Sequence, residues 1–431
     1  MKMLLKAAAL AALLTTTATA FADPAVTGRW DAQLLRAGNA VPFRLDITGS
    51  GATLQGTLYD GFRPNERTTR ASFRDGKLEL YLEHYLTTIT ATLADGKLVG
   101  SVAAKGRSST SEFGFAAARH DASAAARLAQ VKAPDVGGSW YIPLDTPNKR
   151  GEQTVRFSVE QRGAEIAGSV LRVDGDTGAY SGVYRNGKWE LSHWDGSRPG
   201  VITVTPLPNG TLEIRERNDR ADARPEERWG AAQVAYRPDA ALAKGYKLPT
   251  DHLAYTSTRD TQPRFTFSFP DVNGRLVTQD DPYFAGKPVL AIVTGTWCPN
   301  CHDEAQYLVQ LYKKYGPQGL AIVALDFEEV DQQESLQRAR AFIKQYGVEY
   351  PYLIAGTPEE LGEKVPQLVN LDTFPASIFI GRDGTVRAIH AGFASLATGE
   401  FRARQDREFV ARIEALLKEK PPVERVSQNT R

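Results

Sequence analysis

The sequence predicts a multidomain protein with two tandem all-β repeats, barrel-like or sandwich-like, followed by one α/β domain. Its 431 residues exceed what one compact domain normally holds. Short runs in which apolar and polar residues alternate fill the first part of the chain, whereas apolar strands alternate with helical patterns in the last part. Charged residues make up 24% and hydrophobic residues 42%, as is typical of globular proteins.

The first 22 residues predict an export signal. They contain two lysines, an apolar run over residues 7–14, and small residues on both sides of Phe21. We expect a signal peptide at 1–22 that is cleaved near Ala22, with a retained membrane anchor as the alternative. The apolar run is shorter than the roughly 20 residues that a spanning helix needs, so we expect no stable membrane insertion.

Residues 23–118 and 136–237 predict the two β repeats, joined by an Ala-rich linker at 119–135. Turn signals recur along both. A Gly-x-Trp triplet ending at Trp30 is echoed 110 positions later at Trp140, a period too long for a solenoid repeat. We interpret this as duplication of one β module, which forms either two barrels or one larger sheet system. The triplet resembles the opening of lipocalin-type barrels.

The remaining chain divides into three segments. A second linker, rich in proline and polar residues, is predicted at 238–262. The α/β domain follows at 263–418, and a polar tail that we expect to be disordered occupies 419–431.

Cysteine usage and charge exclude several classes. The chain has two cysteines, Cys298 and Cys301, so a disulfide-stapled scaffold, an iron–sulfur site and a Cys-rich zinc site are all excluded. The net charge of +1 gives no support for nucleic-acid binding. No metal site is predicted.

The cysteine pair lies where a buried strand is predicted to pass into a helix. An apolar run covers residues 288–293, Trp297-Cys298-Pro299-Asn300-Cys301 follows, and an amphipathic helical pattern covers residues 301–315. The positive end of a helix stabilises a thiolate, so the pKa of Cys298 should fall below its ordinary value. Cys298 could then attack a substrate disulfide, and Cys301 could resolve the mixed disulfide.

This pattern resembles the thioredoxin superfamily, and within it the TlpA/ResA-like, redoxin-type periplasmic thiol-disulfide oxidoreductases. The resemblance covers roughly residues 263–418. It includes Phe374-Pro375 directly before a predicted strand, and Glu304 three residues after the second cysteine. Ile292 stands where many thioredoxins carry a buried aspartate.

The resemblance implies the fold, the site and the partners. It implies a thioredoxin-like α/β domain in which Cys298, Cys301 and Glu304 are catalytic, with Glu304 exchanging protons. It implies a cis peptide bond before Pro375 and a substrate groove, whose residues we take to be Trp297, Pro299, Asn300, Phe374 and Pro375. The expected partners are disulfide-containing periplasmic proteins and a membrane thiol donor. The redox-active disulfide makes a cofactor unnecessary.

Other hypotheses use the same residues. Cys298-x-x-Cys301-His302 is formally a c-type haem attachment motif, and the cysteines could also form a structural disulfide. A redoxin-type peroxidase, and a ligand-binding or partner-binding β region with a subsidiary redox domain, are further alternatives. We expect His302 on the helix surface, where its protonated form could stabilise the thiolate, and we expect His84 and His193 to be strand or turn residues.

Overall fold

The computed structural model describes residues 25–105, 110–219, 227–260 and 264–420. The predicted signal peptide lies outside these ranges, as does all but the start of the predicted polar tail. Within them, no helix combines the length and the apolar character that crossing a membrane requires.

The first β unit, residues 28–119, is a nine-stranded antiparallel sheet. Its strands are β1 Gly28–Arg36, β2 Asn39–Thr48, β3 Gln55–Asp60, β4 Arg63–Arg67, β5 Arg70–Arg74, β6 Lys77–Leu82, β7 Thr87–Ala94, β8 Lys97–Lys105 and β9 Thr110–Arg119. Strand β1 pairs with both β2 and β9, which leaves β4 and β5 at the two edges. Because two residues, Thr68 and Thr69, separate the end of β4 from the start of β5, the two edges lie close together and the sheet is curled.

The second β unit, residues 138–235, is also nine-stranded and curled. Its strands are β10 Gly138–Pro143, β11 Thr154–Arg162, β12 Glu165–Arg172, β13 Gly175–Asp176, β14 Tyr180–Arg185, β15 Lys188–His193, β16 Gly200–Pro206, β17 Leu212–Glu216 and β18 Gln233–Ala235. A bridge between Tyr141 and Tyr236 joins its first and last parts. Helix α1, Ala122–Ala129, connects the two units and is capped by the Asp121 carboxylate.

The opening tryptophans of the two units have matching surroundings. Trp30 and Trp140 are both buried, and each indole N–H donates to the carbonyl four residues earlier at 2.8 Å. The guanidinium carbon of Arg119 lies 4.1 Å from the ring centroid of Trp30, and that of Arg237 lies 3.9 Å from the ring centroid of Trp140. Each pair combines apolar burial with a cation–π contact at the start of its sheet.

The two β units pack against each other. Trp194 of the second unit lies in the hydrophobic core cluster of the first, with its ring centroid 4.6 Å from that of Phe43. An ion pair between Arg44 and Glu165 also joins the two units.

The segment predicted as the second linker is structured. It holds α2 Pro238–Ala243, α3 His252–Tyr255 and β19 Ser257–Thr258, and β19 pairs with a strand of the α/β domain. His252 is buried, and its Nδ1 lies 2.8 Å from the carbonyl oxygen of Ala391. The part of this segment from His252 onward therefore packs on the α/β domain, whereas α2 contacts β10 of the second β unit.

The α/β domain, residues 264–420, is built on a five-stranded sheet in the order β24-β23-β22-β26-β27. Its strands are β20 Ser268–Pro270, β21 Leu276–Thr278, β22 Val289–Thr294, β23 Ala321–Phe327, β24 Tyr352–Gly356, β25 Leu368–Val369, β26 Ala376–Ile380 and β27 Val386–Ala391. Its helices are α4 Pro299–Tyr315, α5 Gln337–Tyr346, α6 Leu361–Lys364 and α7 Glu400–Leu417. Strands β22, β23 and β24 are parallel, while β26 and β27 are antiparallel to their neighbours.

This sheet is buried on both faces, which explains why its central strands are continuous apolar runs. Every residue of β22 and of β23 is buried. One face packs on the helices α4, α5 and α7, and the other on the β20–β21 hairpin. Strand β22 therefore ends at a defined edge, where the chain turns into α4 at the cysteine pair.

Candidate functional site

Cys298 and Cys301 lie at the N-terminus of α4. Cys298 has extended backbone and caps the helix, and Pro299 occupies its first turn, where a missing N–H leaves no bond unmade. Only 2% of Cys298 and 1% of Cys301 is exposed. The pair is therefore covered, although it stands at the end of the sheet.

The sulfur of Cys298 faces the chain at Phe374. Cys298 Sγ lies 3.1 Å from the carbonyl oxygen of Phe374, and the peptide bond between Phe374 and Pro375 is cis. Pro375 itself is buried, whereas Phe374 is partly exposed beside the sulfur. The structure thus brings three of the predicted site residues together.

The pKa values of the two thiols move in opposite directions. Burial pushes the pKa of Cys298 up, but the hydrogen bond from the Cys301 thiol, the charge of Arg198 and the N–H groups of Cys301 and Asn300 outweigh it, so the net pKa is lowered. Burial raises the pKa of Cys301 well above its ordinary value, and its hydrogen bond to Cys298 adds to this. Cys298 is therefore the more acidic thiol of the pair, and Cys301 holds its proton more strongly.

Glu304 lies one turn into α4 and is 1% exposed. Ser377 Oγ donates a hydrogen bond to Glu304 Oε1 at 2.5 Å. Burial raises the pKa of Glu304 to about 8, and the nearby Cys298 acts in the same direction. Such a carboxyl group is protonated at neutral pH and can take part in proton exchange. Sequence reasoning missed Ser377, although a lone hydroxyl in the apolar strand after Pro375 was a usable signal.

Trp297 and Phe374 form one wall beside the sulfur. Their ring centroids are 4.9 Å apart, and the Trp297 indole N–H donates to the carbonyl of Phe327 at 2.9 Å. A Cβ atom at Gly295 would overlap the Trp297 indole, so the ring position depends on a glycine there. Both aromatic side chains line a cavity above Cys298.

The dipeptide between the cysteines is held by the second β unit. Asn300 Nδ2 donates to the carbonyl of Asp176 at 3.0 Å and to that of Phe393 at 3.1 Å. A Cβ atom at Gly175 would overlap the Asn300 amide, so the two parts of the chain approach closely. Pro299 lines a second, small cavity beside this contact. The Asn300 side chain, predicted to lie in the substrate groove, is thus used to attach a β unit.

The expectation that His302 lies on the helix surface is wrong. Its Nε2 lies 2.7 Å from the carbonyl oxygen of Thr296, its Nδ1 lies 2.8 Å from the hydroxyl of Tyr346, and its ring stacks on Tyr85 of the first β unit. Burial lowers the pKa of His302 well below its ordinary value. His302 is therefore neutral and cannot supply the positive charge that its position in the sequence suggested.

His84 lies in the turn after β6 and His193 ends β15, as predicted, and both side chains are buried where units meet. His84 Nε2 lies 3.0 Å from Glu66 Oε2, and candidate ligand atoms of Glu66, His84 and His302 lie within 4.8 Å of one another. These are side chains of the kinds that bind metal ions, but both ring nitrogens of His302 already lie within hydrogen-bond distance of protein oxygens. His193 lies 3.7 Å from Asp60 and 3.6 Å from Asp195.

The residues present do not fit a covalently attached haem. In that arrangement His302 would have to give a ring nitrogen to the iron, but both of its nitrogens are within hydrogen-bond distance of protein oxygens. Tyr85 also stacks on the imidazole with a centroid separation of 4.1 Å, which leaves no room for a macrocycle there.

Four carboxylates converge beside α4 at the junction of all three units. Burial and the nearby charges of Asp60, Asp176 and Asp195 raise the pKa of Asp303 well above its ordinary value. Burial also raises the pKa of Asp176 to about 6, with Asp60 adding to the effect. Sequence reasoning missed this junction because its members are far apart in the chain.

Arg198 is a second residue that sequence reasoning missed. It lies in the loop between β15 and β16 of the second β unit, lines the cavity above Cys298 and lowers the pKa of that thiol by its charge. Nothing in the local sequence marks it, because its role depends on how the β unit docks.

Comparison with known proteins supports the interpretation of the α/β domain. Residues 258–399 match the Redoxin family model. Over 120 residues the chain is 32% identical to the thiol-disulfide oxidoreductase ResA of Bacillus thuringiensis (strain Al Hakam). The matched region is 28% of this chain and 62% of that protein. It is 31% identical over 132 residues to the thiol:disulfide interchange protein DsbE of Escherichia coli (strain K12), covering 30% and 63%.

A third relative extends the match. The ResA protein of Halalkalibacterium halodurans is 27% identical over 153 residues, which covers 35% of this chain and 80% of that protein. The chain spans 62% of the length of the curated relatives that it matches at 32% identity. Residues 258–399 therefore form a redoxin domain, and this part of the chain is similar to ResA and DsbE thiol-disulfide oxidoreductases.

Proposed function

We propose that this protein is an exported thiol-disulfide oxidoreductase that reduces or exchanges disulfides in periplasmic proteins. The observation that carries the proposal is the asymmetry of the cysteine pair. Cys298 has a lowered pKa and faces the Phe374 carbonyl, while Cys301, one helical turn away, keeps a strongly raised pKa. An attacking thiolate beside a protonated partner is the arrangement that two-step disulfide exchange requires.

The exchange proceeds in two steps. The Cys298 thiolate attacks one sulfur of a substrate disulfide, forming a mixed disulfide and releasing the other substrate sulfur as a thiolate. Cys301 then loses its proton and attacks Cys298 Sγ, which forms the Cys298–Cys301 disulfide and releases the second substrate thiolate. The substrate gains two electrons, and a dithiol donor must return two electrons to the enzyme.

Glu304 supports the second step. Its pKa of about 8 keeps it protonated near neutral pH, and it lies close enough to the pair for the Cys298 charge to raise that pKa. We assign Glu304 the exchange of protons with the pair as Cys301 changes from thiol to thiolate and back. Ser377 holds the carboxyl in place.

The groove beside the sulfur is formed by Trp297, Phe374 and the cis bond to Pro375. Pro299 starts the helix that lowers the pKa of Cys298, and Asn300 attaches that helix to the second β unit. No separate cofactor is needed, because the disulfide of the pair carries the electrons.

The location and partners follow from the proposed export. The positively charged, apolar segment at 1–22 supports cleavage near Ala22 and a periplasmic location. Disulfide-containing periplasmic proteins would be the substrates, and a membrane thiol donor would recharge the pair. We assign no role in nucleic-acid binding and no stable membrane insertion.

The two β units derive from one duplicated module in this proposal. The matching tryptophan–arginine contacts at the start of each sheet support duplication. Both units line the cavity above Cys298, and each contacts the start of α4, which supports a role for them in the same reaction rather than in an independent one.

Cysteine variants test the proposal directly. With dithiothreitol as electron donor and a disulfide-bonded protein as substrate, Cys298→Ser should lose at least about 10³-fold in rate, as expected when a nucleophile is removed. Cys301→Ser should accumulate a mixed disulfide between Cys298 and the substrate, detectable by intact mass. Full activity of Cys298→Ser would show that another group performs the reaction.

A further inference from the structure

We propose that the cavity above Cys298 selects disulfides carried on acidic polypeptide segments. This inference rests on the thiol-disulfide exchange proposed above and names its substrate class. We call the space the cationic cavity, defined by Trp297, Cys298 and Phe374 at its base and by walls from both β units and the α/β domain.

The cationic cavity is the route to the reactive sulfur. Cys298 is 2% exposed and lines this space, so among the described residues the cavity offers a disulfide an approach to its sulfur. The volume of about 880 Å³ lies near the upper end of the range of about 300–1,000 Å³ that is typical of ligand pockets. It therefore admits a short extended segment and excludes a folded domain.

Positive charge dominates the lining, and most of it comes from the β units. The cationic side chains are Arg36, Lys105, Lys149, Arg150, Arg198 and Arg338, and the carboxylates are Asp174, Glu359 and Asp372. All of the cations except Arg338 belong to the first or second β unit. The β units therefore supply positive charge around Cys298 and also shield it from solvent.

Half of these cations are already paired. The pairs are Arg150 with Asp174 at 2.8 Å and with Asp372 at 3.4 Å, Lys105 with Asp331 at 2.7 Å, and Arg338 with Glu328 at 2.5 Å. Among the residues that the structure describes, Arg36, Lys149 and Arg198 form no ion pair with a carboxylate. These three charges are available to a substrate.

The positions of the three available cations favour a polypeptide with spaced carboxylates. Arg36 ends strand β1 and donates to the carbonyl of Pro199 at 3.2 Å, Lys149 lies between β10 and β11, and Arg198 lies between β15 and β16. Because they come from three separate parts of the wall, a segment with several acidic side chains can contact more of them than a small anion can.

Arg198 places one of these positive charges near the reactive sulfur of Cys298. Its charge acts on the Cys298 thiol, so a carboxylate that flanks the substrate disulfide can approach Arg198 while the disulfide meets Cys298 Sγ. A lysine at the same place would meet like charge, and like charges in a partly enclosed site are unfavourable. The cavity should therefore separate substrates by the charge beside their disulfide.

The test compares three synthetic disulfide-linked peptides of equal length that differ only in having glutamate, glutamine or lysine beside the cysteines. The full-length protein reduces them with dithiothreitol as donor, and kcat/KM is measured at low and high ionic strength. We expect at least about a tenfold preference for the glutamate peptide over the lysine peptide at low ionic strength. The preference should shrink at high ionic strength because salt screens it.

Variants assign the preference to the cavity. Arg36→Gln, Lys149→Gln and Arg198→Gln combined should bring the glutamate-to-lysine ratio of kcat/KM to near unity. The ratio is informative because one enzyme attacks both peptides, so a change in thiolate reactivity cancels. Lys149→Gln alone, an exposed loop substitution, should lower the ratio partly even if the triple variant folds poorly. Lys97→Gln, at the far end of β8 from Lys105, is the matched control and should keep the ratio.

Each outcome decides between the two proposals. A glutamate preference that the three substitutions remove supports the charge selection. Equal reduction of all three peptides by the unaltered protein overturns the charge selection and leaves the oxidoreductase proposal standing. Failure to reduce any peptide or any protein disulfide overturns the oxidoreductase proposal, and the charge selection fails with it.

Discussion

Replacing Glu304 with glutamine should make the protein more stable and less active. The carboxyl is 1% exposed on α4, with a single hydrogen bond from Ser377 at 2.5 Å among its described contacts. Glutamine has nearly the same shape, and its carbonyl oxygen can accept the same hydrogen bond. The substitution therefore removes the titration and leaves the packing in place.

The magnitude follows from the pKa of Glu304, which burial raises from 4.5 to about 8. Because the folded value lies above the unfolded one, the folded state is penalised as the pH rises from about 4.5 through about 8, and the penalty is absent at lower pH. At pH 7 the unfolded chain ionises Glu304 while the folded chain protonates it. At about 1.4 kcal/mol for each pH unit above 4.5, the penalty at pH 7 is roughly 3 kcal/mol.

Urea unfolding of both proteins at several pH values provides the assay. Glu304→Gln should raise the free energy of unfolding by roughly 3 kcal/mol at pH 7 and by almost nothing at pH 4. Its disulfide-reduction rate should fall by about 10²-fold, and the pH dependence near pH 8 should disappear. Glu363→Gln, at an exposed position of α6, is the control and should change neither quantity. Equal stability of Glu304→Gln and the unaltered protein at pH 7 would refute the reasoning.

Three further outcomes are expected. Gly175→Ala should clash with the Asn300 amide and lower the free energy of unfolding by about 1–3 kcal/mol, measured by urea unfolding. Arg198→Ala should raise the pKa of Cys298, measured by the pH dependence of alkylation by iodoacetamide, and no shift would contradict the assigned charge effect. Burial raises the pKa of Asp176 to about 6, so the unaltered protein should lose on the order of 3 kcal/mol of stability as the pH rises from about 4 through 6. Asp176→Asn should not show this loss. Parallel stability–pH curves for that variant and the unaltered protein would contradict it.

The spacing of apolar residues predicted the individual strands and helices whose positions depend on neighbouring residues in the chain. Period-two alternation predicted mainly β structure before residue 237, and the apolar run before Trp297 predicted the buried strand β22. The helix after the cysteines is marked by the spacing of Ala305, Leu308 and Leu311, and the structure starts it two residues earlier than the pattern alone suggested, at Pro299–Tyr315. The family resemblance identified a candidate site because its motif is contiguous.

Contacts between units could not be predicted in this way. His302 has the sequence context of a surface residue on an amphipathic helix, yet Tyr85 of the first β unit covers it. Arg198 and Asp176 lie one hundred or more positions before the cysteines, and their roles depend on how three units dock. A single sequence shows which face of each helix or strand is apolar, but it does not show which faces of different units pack against each other.

The docking of the β units on the α/β domain affects both the pKa values at the cysteine pair and the access of the substrate to it. The pKa values of Glu304 and Cys301 are raised mainly by burial. The β units supply part of the cover over the α4 N-terminus, through the contact of Asn300 with Asp176 and of His302 with Tyr85. The same units form the walls that a substrate must pass. A substitution that loosens a β unit should therefore change proton exchange and substrate choice together, whereas one that alters only the charge of the wall should change substrate choice alone.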